Sequence, residues 1–166
     1  MEYTPGAMLS MQPDNYSSRR PNSASIGTRA YQMALFVVFE SGLQMLADNP
    51  TLYYRNDDCT RFISSVPLLW DDTRVLSARL GDHLVVAKRN ADRWFLGGIT
   101  GERKEAFEAE FTLDFLPEGQ TFTLTSFEDG INADRQAMHY TKSSQQVRKG
   151  DTIKVRMVRN GGYAAT

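Results

Sequence analysis

The chain has 166 residues, of which 41% are hydrophobic and 23% charged, in the range of a soluble globular domain with at most an appendage. Its net charge is −1 with Lys and Arg scattered, so it carries no electrostatic footprint for nucleic acid. A single cysteine, Cys59, excludes an intrachain disulfide, and with only two histidines to activate it the residue reads as a small buried hydrophobe rather than a nucleophile.

Residues 1–26 are rich in Ser, Asn, Pro and Arg, with turn signals at "TPG" and "RRPNS". Tyr3, Met8, Met11 and Tyr16 give this segment more apolar side chains than a plain linker carries, as in a loop that lies on something. As it stands, the N-terminus has no basic stretch leading into an apolar run, hence no secretory signal.

Next comes "MALFVVFESGLQMLAD", Met33 to Asp48. A helix is predicted from Ser25–Thr28, where Ser and Thr offer N-caps, to about Ala47, stopped by Asp48-Asn49-Pro50. Met33 to Phe39 are apolar on nearly every side of such a helix, far beyond the single stripe of a surface helix. Glu40, Ser41, Gly42 and Gln44 interrupt the run too early for a membrane span, which needs roughly 20 apolar residues. A second helix is predicted from Asn56 or Asp57 to about Ser65, with Asp57 and Asp58 favouring its N-terminus and Phe62, Ile63 and Val66 on its buried side.

After "PLLWDDT" the period falls to two. "RVLSARL", "HLVVAKR" and "RWFLGGIT" read as successive strands broken by turns at Gly81-Asp82 and Asn90-Ala91-Asp92. In "AFEAEFTLDF", Phe107, Ala109, Phe111 and Leu113 face one way and Glu108, Glu110, Thr112 and Asp114 the other. "TFTLTSFED", "AMHYTKSSQQV" and "TIKVRMV" follow, and "NGGYAAT" closes the chain. Roughly seven or eight strands at about ten-residue spacing predict a mainly β chain, an antiparallel, Greek-key-like β-sandwich preceded by an α-helical segment.

Catalytic patterns are absent: no dinucleotide or phosphate-binding glycine loop, no nucleophile elbow. His83 and His139 fall in separate predicted strands without partners at metal-ligand spacing. "DNPTLYYRNDDC" groups acids with Asn but lacks the spacing of a calcium loop. Glu2, Glu40, Asp71 and Asp72 are the candidates for a carboxylate pair of the kind glycoside hydrolysis uses, yet none has a partner that the sequence places opposite it. Trp70, Trp94, Tyr53 and Tyr54 allow a sugar-stacking surface. The plainer reading is that Trp94 and Phe95 alternate across a sheet and that Tyr53 and Tyr54 brace the helix junction.

Several segments carry a more specific signal. "MEYTPGAM", "GTRAYQMALFVVFESGLQMLADNPTLY", "FISSVPLLWDDTRVL", "GDHLVVAKRNADRWFLGGIT", "DFLPEG", "DGINADR" and "NGGYAA" resemble, in order and across essentially the whole chain, the C-terminal end of glycoside hydrolase family 97 enzymes. These are bacterial α-glucosidases and α-galactosidases that depend on calcium. The resemblance implies that residues 1–69 are the end of a (β/α)8 catalytic barrel, with 28–48 its last helix, and that residues 70–166 are the C-terminal β-sandwich. It implies further that the catalytic carboxylates and calcium ligands lie upstream, so that this chain alone holds no catalytic residue, no metal ligand and no activity. Glu2, at the rim where barrel active sites form, would line the substrate pocket only in a full-length protein.

The implied job of the sandwich is to brace the barrel by covering its last helix. Implied partners are the missing barrel and a second copy through residues 33–46, with neither nucleic acid nor membrane. Family members are often periplasmic or exported. Two other readings stand beside this one: a free-standing carbohydrate-binding module, in which Trp94→Ala abolishes retention on a polysaccharide, and a self-associating remnant.

Overall fold

A computed structural model describes residues 3–19 and 24–166. The chain forms short strands β1 (Ser10–Met11) and β2 (Ser25–Ile26), then helices α1 (Arg29–Val38), α2 (Pro50–Arg55) and α3 (Asp57–Ser65). Strands β3 (Asp72–Arg79), β4 (His83–Asn90), β5 (Arg93–Thr100), β6 (Phe107–Thr112), β7 (Thr121–Asp129), β8 (Tyr140–Arg148), β9 (Thr152–Met157) and β10 (Gly162–Ala165) follow. Among the described residues no helix is long and apolar enough to cross a membrane.

The predicted fold class is the one observed: an antiparallel β-sandwich preceded by a helical segment. Six strands in the order β3-β4-β5-β10-β7-β8 make the main sheet, and β6 pairs with β9 to make a second, two-stranded sheet. Every pairing in both is antiparallel. Consecutive side chains of the central strands enter two separate cores. Val86, Phe95, Phe127 and Ala164 meet α1 and α3 on one face. Val85, Leu96, Tyr163 and Ala165 meet Ile153, Val155 and Met157 of β9 on the other. A strand buried on both faces reads as a continuous apolar run, which is how β4 and β5 appear in the sequence.

One local reading is corrected, and one segment gains an assignment. The helix predicted to reach Ala47 ends at Val38, with Phe39 already extended. The following stretch turns back alongside the N-terminal segment instead, where Met45 donates to the Tyr3 carbonyl and Ala47 to that of Pro5. The closing "NGGYAAT" forms β10, a central strand between β5 and β7.

Candidate functional site: the helix–sheet seam

The sequence left Met33 to Phe39 without a partner. The six-stranded sheet is that partner: Met33, Ala34, Phe36 and Val37 are buried in one core with Val86, Phe95 and Ala164. Contact is close because the sheet is bare where the helix crosses. A Cβ placed on Gly97 would lie 2.8 Å from that of Val37. One placed on Gly162 would overlap the backbone of Tyr31.

Both ends of α1 are hydrogen-bonded by groups from the sandwich. A helix leaves its first N–H and last C=O groups without internal partners. At the N-terminus the Thr28 Oγ1 accepts from Tyr31 N at 3.0 Å. The Thr28 N–H donates to the Asn160 carbonyl and the Arg29 N–H to that of Ala137, both at 2.8 Å. At the C-terminus Lys88, only 2% exposed, donates to the Val38 carbonyl at 3.3 Å. A cation there also opposes the negative end of the helix dipole. Lys88 reaches Glu40 at 3.0 Å as well, and its Nζ stands 5.5 Å from the centroid of the Trp70 ring.

Beneath the N-terminal cap lies Asp129, the first residue of "DGINADR". Its Oδ2 accepts from Val158 N at 2.9 Å and Gly162 N at 3.1 Å, closing the turn that brings Asn160 to the helix. Burial pushes this carboxyl up to about 6, against the pull of its hydrogen bonds.

The segment after Tyr3 is held in the same manner. Gln32 accepts from Gly6 N at 3.2 Å, Arg29 donates to the Met8 carbonyl at 2.7 Å, and Asp48 accepts from Met8 N at 2.6 Å. Tyr53 donates to the Gly6 carbonyl at 3.0 Å. Further along, Gln12 donates to Ala133 O and Arg159 O at 3.1 and 2.9 Å, and Arg159 pairs with Asp14 at 2.6 Å. Loop 9–16 is therefore clamped to the sandwich; of the segment's apolar residues Met8 is fully buried, while Tyr16 stays exposed.

The individual candidates disperse. Glu2 lies outside the described residues. Glu40 sits past the end of α1, not inside a helix, and pairs with Lys88. Asp71 accepts from Ala91 N at 2.6 Å, and Asp72 opens β3 beside Arg74. Among the described residues no three His, Cys, Asp or Glu side chains gather as metal ligands. Residues 33–46 do not present one uncovered face: Met33 to Val37 are buried, and of the large apolar side chains Phe39, Leu43, Met45 and Leu46 are exposed. Trp70 and Trp94 pack with opposite cores and cannot share a platform. Tyr53 braces the helix junction, whereas Tyr54 is exposed. Cys59 is fully buried, and burial pushes its thiol up to about 11.

One constellation escaped the sequence. Ser77 Oγ lies 2.7 Å from His83 Nε2, and His83 Nδ1 lies 2.8 Å from Asp82, which Arg103 also binds at 2.6 Å. The order is that of a hydrolytic triad. The adjoining cavity is lined by Asp82 and His83 but not by Ser77, so the hydroxyl has no substrate space before it. Ser77 follows the irregular step between Val75 and Ser77 in β3, and the network pins that bulge. No spacing signal announces it, because the bulge itself supplies the register.

Comparison with known proteins places this geometry. Residues 69–166 match the family model described as "Glycosyl-hydrolase 97 C-terminal, oligomerisation". A retaining α-galactosidase from Bacteroides thetaiotaomicron is 38% identical over 164 residues, 99% of this chain and 24% of that protein. A probable retaining α-galactosidase from Streptomyces bingchenggensis is 32% identical over 99% of this chain and 23% of its own length. Among solved structures, a glycoside hydrolase family 97 enzyme from Pseudoalteromonas sp. strain K8, in complex with panose, superposes with a TM-score of 0.77 at 32% identity, covering 84% of this chain and 22% of that one. The chain thus spans about a quarter of the length of the curated relatives it matches.

Proposed function

The chain belongs to glycoside hydrolase family 97, with residues 69–166 matching its C-terminal domain, and from that premise we propose that the sandwich braces the catalytic domain of a longer enzyme. In this reading residues 1–69 are the end of a (β/α)8 barrel, α1 is its last helix, and residues 70–166 are the sandwich that fixes it. One observation carries the reading: beyond the helix's own Thr28 cap, the sandwich supplies hydrogen-bond partners at both ends of α1, Asn160 and Ala137 at one end and Lys88 at the other.

The clamp on loop 9–16 extends the same role. Active sites of such barrels form from the loops that follow the strands, so a sandwich gripping the last of them holds part of the catalytic rim in place. The whole enzyme, in this proposal, hydrolyses α-linked galactosides or glucosides; the two α-galactosidase relatives support the galactosides. Its catalytic carboxylates and its calcium belong to the barrel, and this chain contributes position rather than chemistry.

A second reading concerns self-association. Phe39, Leu43, Met45 and Leu46 are exposed together, and the family model's description names oligomerisation. The patch is the part of residues 33–46 available to a second copy. In a longer enzyme it is equally available to the rest of the barrel.

The intact mass of the polypeptide in its native cell tests the main proposal. A mass several-fold above 18.8 kDa supports it. A mass equal to this chain overturns it and leaves the self-association reading, which sedimentation over a range of concentrations then decides.

A further inference from the structure

Trp94 and Phe115 stack with ring centroids 4.5 Å apart. The pair is shared by two cavities. One, of about 310 Å³, runs inward to Leu96, Leu113, Leu124 and Val147 of the second core. The other, of about 520 Å³, has the same aromatic wall with Phe122 but a rim of charged and amide side chains.

That rim has a specific composition. Asp72, Asp92 and Asp114 face Arg74, Arg89 and Lys149, three acids against three bases, with Gln120 beside them. The charges cancel, so the groove selects neither an anion nor a cation. Asp92, Asp114, Gln120 and Lys149 use no side-chain hydrogen bond among the described residues, and their donors and acceptors are free for a ligand. Arg74 and Asp72 hold each other at 3.0 Å and present planar edges. A concave site with an aromatic wall and a few convergent polar groups is the usual form of a small-molecule site.

We propose that this groove binds a neutral oligosaccharide, with the apolar face of one sugar ring on the Trp94–Phe115 wall and its hydroxyls on the carboxylate, guanidinium and amide groups of the rim. The charge balance and the unused planar groups fit vicinal hydroxyls, which donate and accept at once. An aromatic wall alone would fit any flat apolar compound; the polar rim is what narrows the ligand to a sugar. The site stands on the face of the sheet away from α1, and is therefore independent of the bracing role.

The test is an NMR titration of the 166-residue chain, whose only two indole N–H signals come from Trp70 and Trp94. Trp94→Phe identifies its signal and keeps a ring in the wall. Maltotriose and raffinose are added in separate titrations to about 10 mM, enough to saturate a site of about 1 mM affinity. The Trp94 signal should shift saturably with at least one of the two sugars while Trp70, on the other core, stays still. An Arg74→Ala, Gln120→Ala double variant, at two exposed positions, should weaken the response about tenfold or more. Silence with both sugars overturns the proposal. So does a shift of both indoles together, or a response unchanged in the double variant.

Discussion

Gly162 of β10 lies against the backbone of Tyr31 in α1, so near that a single added methyl group would overlap the helix. The contact explains why the sheet's central strand is built from Gly, Tyr, Ala and Ala, and why the helix above it can be apolar through two turns. It also makes the seam intolerant of volume. Gly162→Ala should destabilise the chain by about 1–3 kcal/mol, the usual cost of overpacking. Gly42→Ala, with nothing within 4 Å of the new Cβ, should stay within about 0.5 kcal/mol of the parent. Urea midpoints measure both, and equal midpoints would mean that helix and sheet are not pressed together.

Lys88 is buried but donates to the Val38 carbonyl at the end of α1. Lys88→Met keeps most of the side-chain volume and removes the donor, leaving that carbonyl without its sandwich partner. A loss of about 1–3 kcal/mol is expected. Glu40→Gln, at the exposed partner, should cost under about 1 kcal/mol. Loss confined to the Glu40 variant would assign the role to the ion pair instead of the cap.

Asp129 gives a pH signature. Its carboxyl is raised from an ordinary 3.8 to about 6 by burial, so the folded chain holds the proton more tightly than the unfolded one. The stability contributed by this group is therefore complete below about pH 4 and is lost as pH rises through about 6. Asn at this position keeps an oxygen for the Val158 and Gly162 N–H groups and cannot titrate. The difference in urea midpoint between Asp129→Asn and the parent should grow in favour of Asn from about pH 4 to about pH 7. A constant difference would contradict the raised value.

Much of this fold can be read directly from the residues. Period-two runs locate β3 to β9, and Phe107, Ala109 and Phe111 point inward as their alternation requires. The failures have physical causes. β10 carries no β-branched residue, because a strand pressed beneath a helix needs small side chains more than it needs strand propensity. The helix was overrun beyond Val38 because Leu43, Met45 and Leu46 continue an apolar pattern. Tertiary bonds to Tyr3, Pro5 and Lys88 hold the chain on either side of a local turn in which Ser41 Oγ bonds Leu43. The seam was visible as an unpartnered apolar run. Its polar anchors, Asp129, Gln32 and Gln12, were not, since each acts across tens of residues of sequence.

Cys59 should behave as an inert thiol. It is fully buried and its thiol is pushed up to about 11 by burial. Thiolate-directed reagents should label it only as fast as the chain unfolds globally. Rapid labelling under native conditions would show that α3 opens on its own.

Native-state hydrogen exchange along α1 tests the bracing account most directly. If the sandwich holds the helix, the amides of Ala34 to Val38 should exchange only through the global opening that also releases Leu96 in β5 and Ala164 in β10, with the same free energy and the same dependence on denaturant. Exchange of those α1 amides through a smaller opening, while the sheet stays protected, would show that the helix is only resting on the sandwich and would contradict the account.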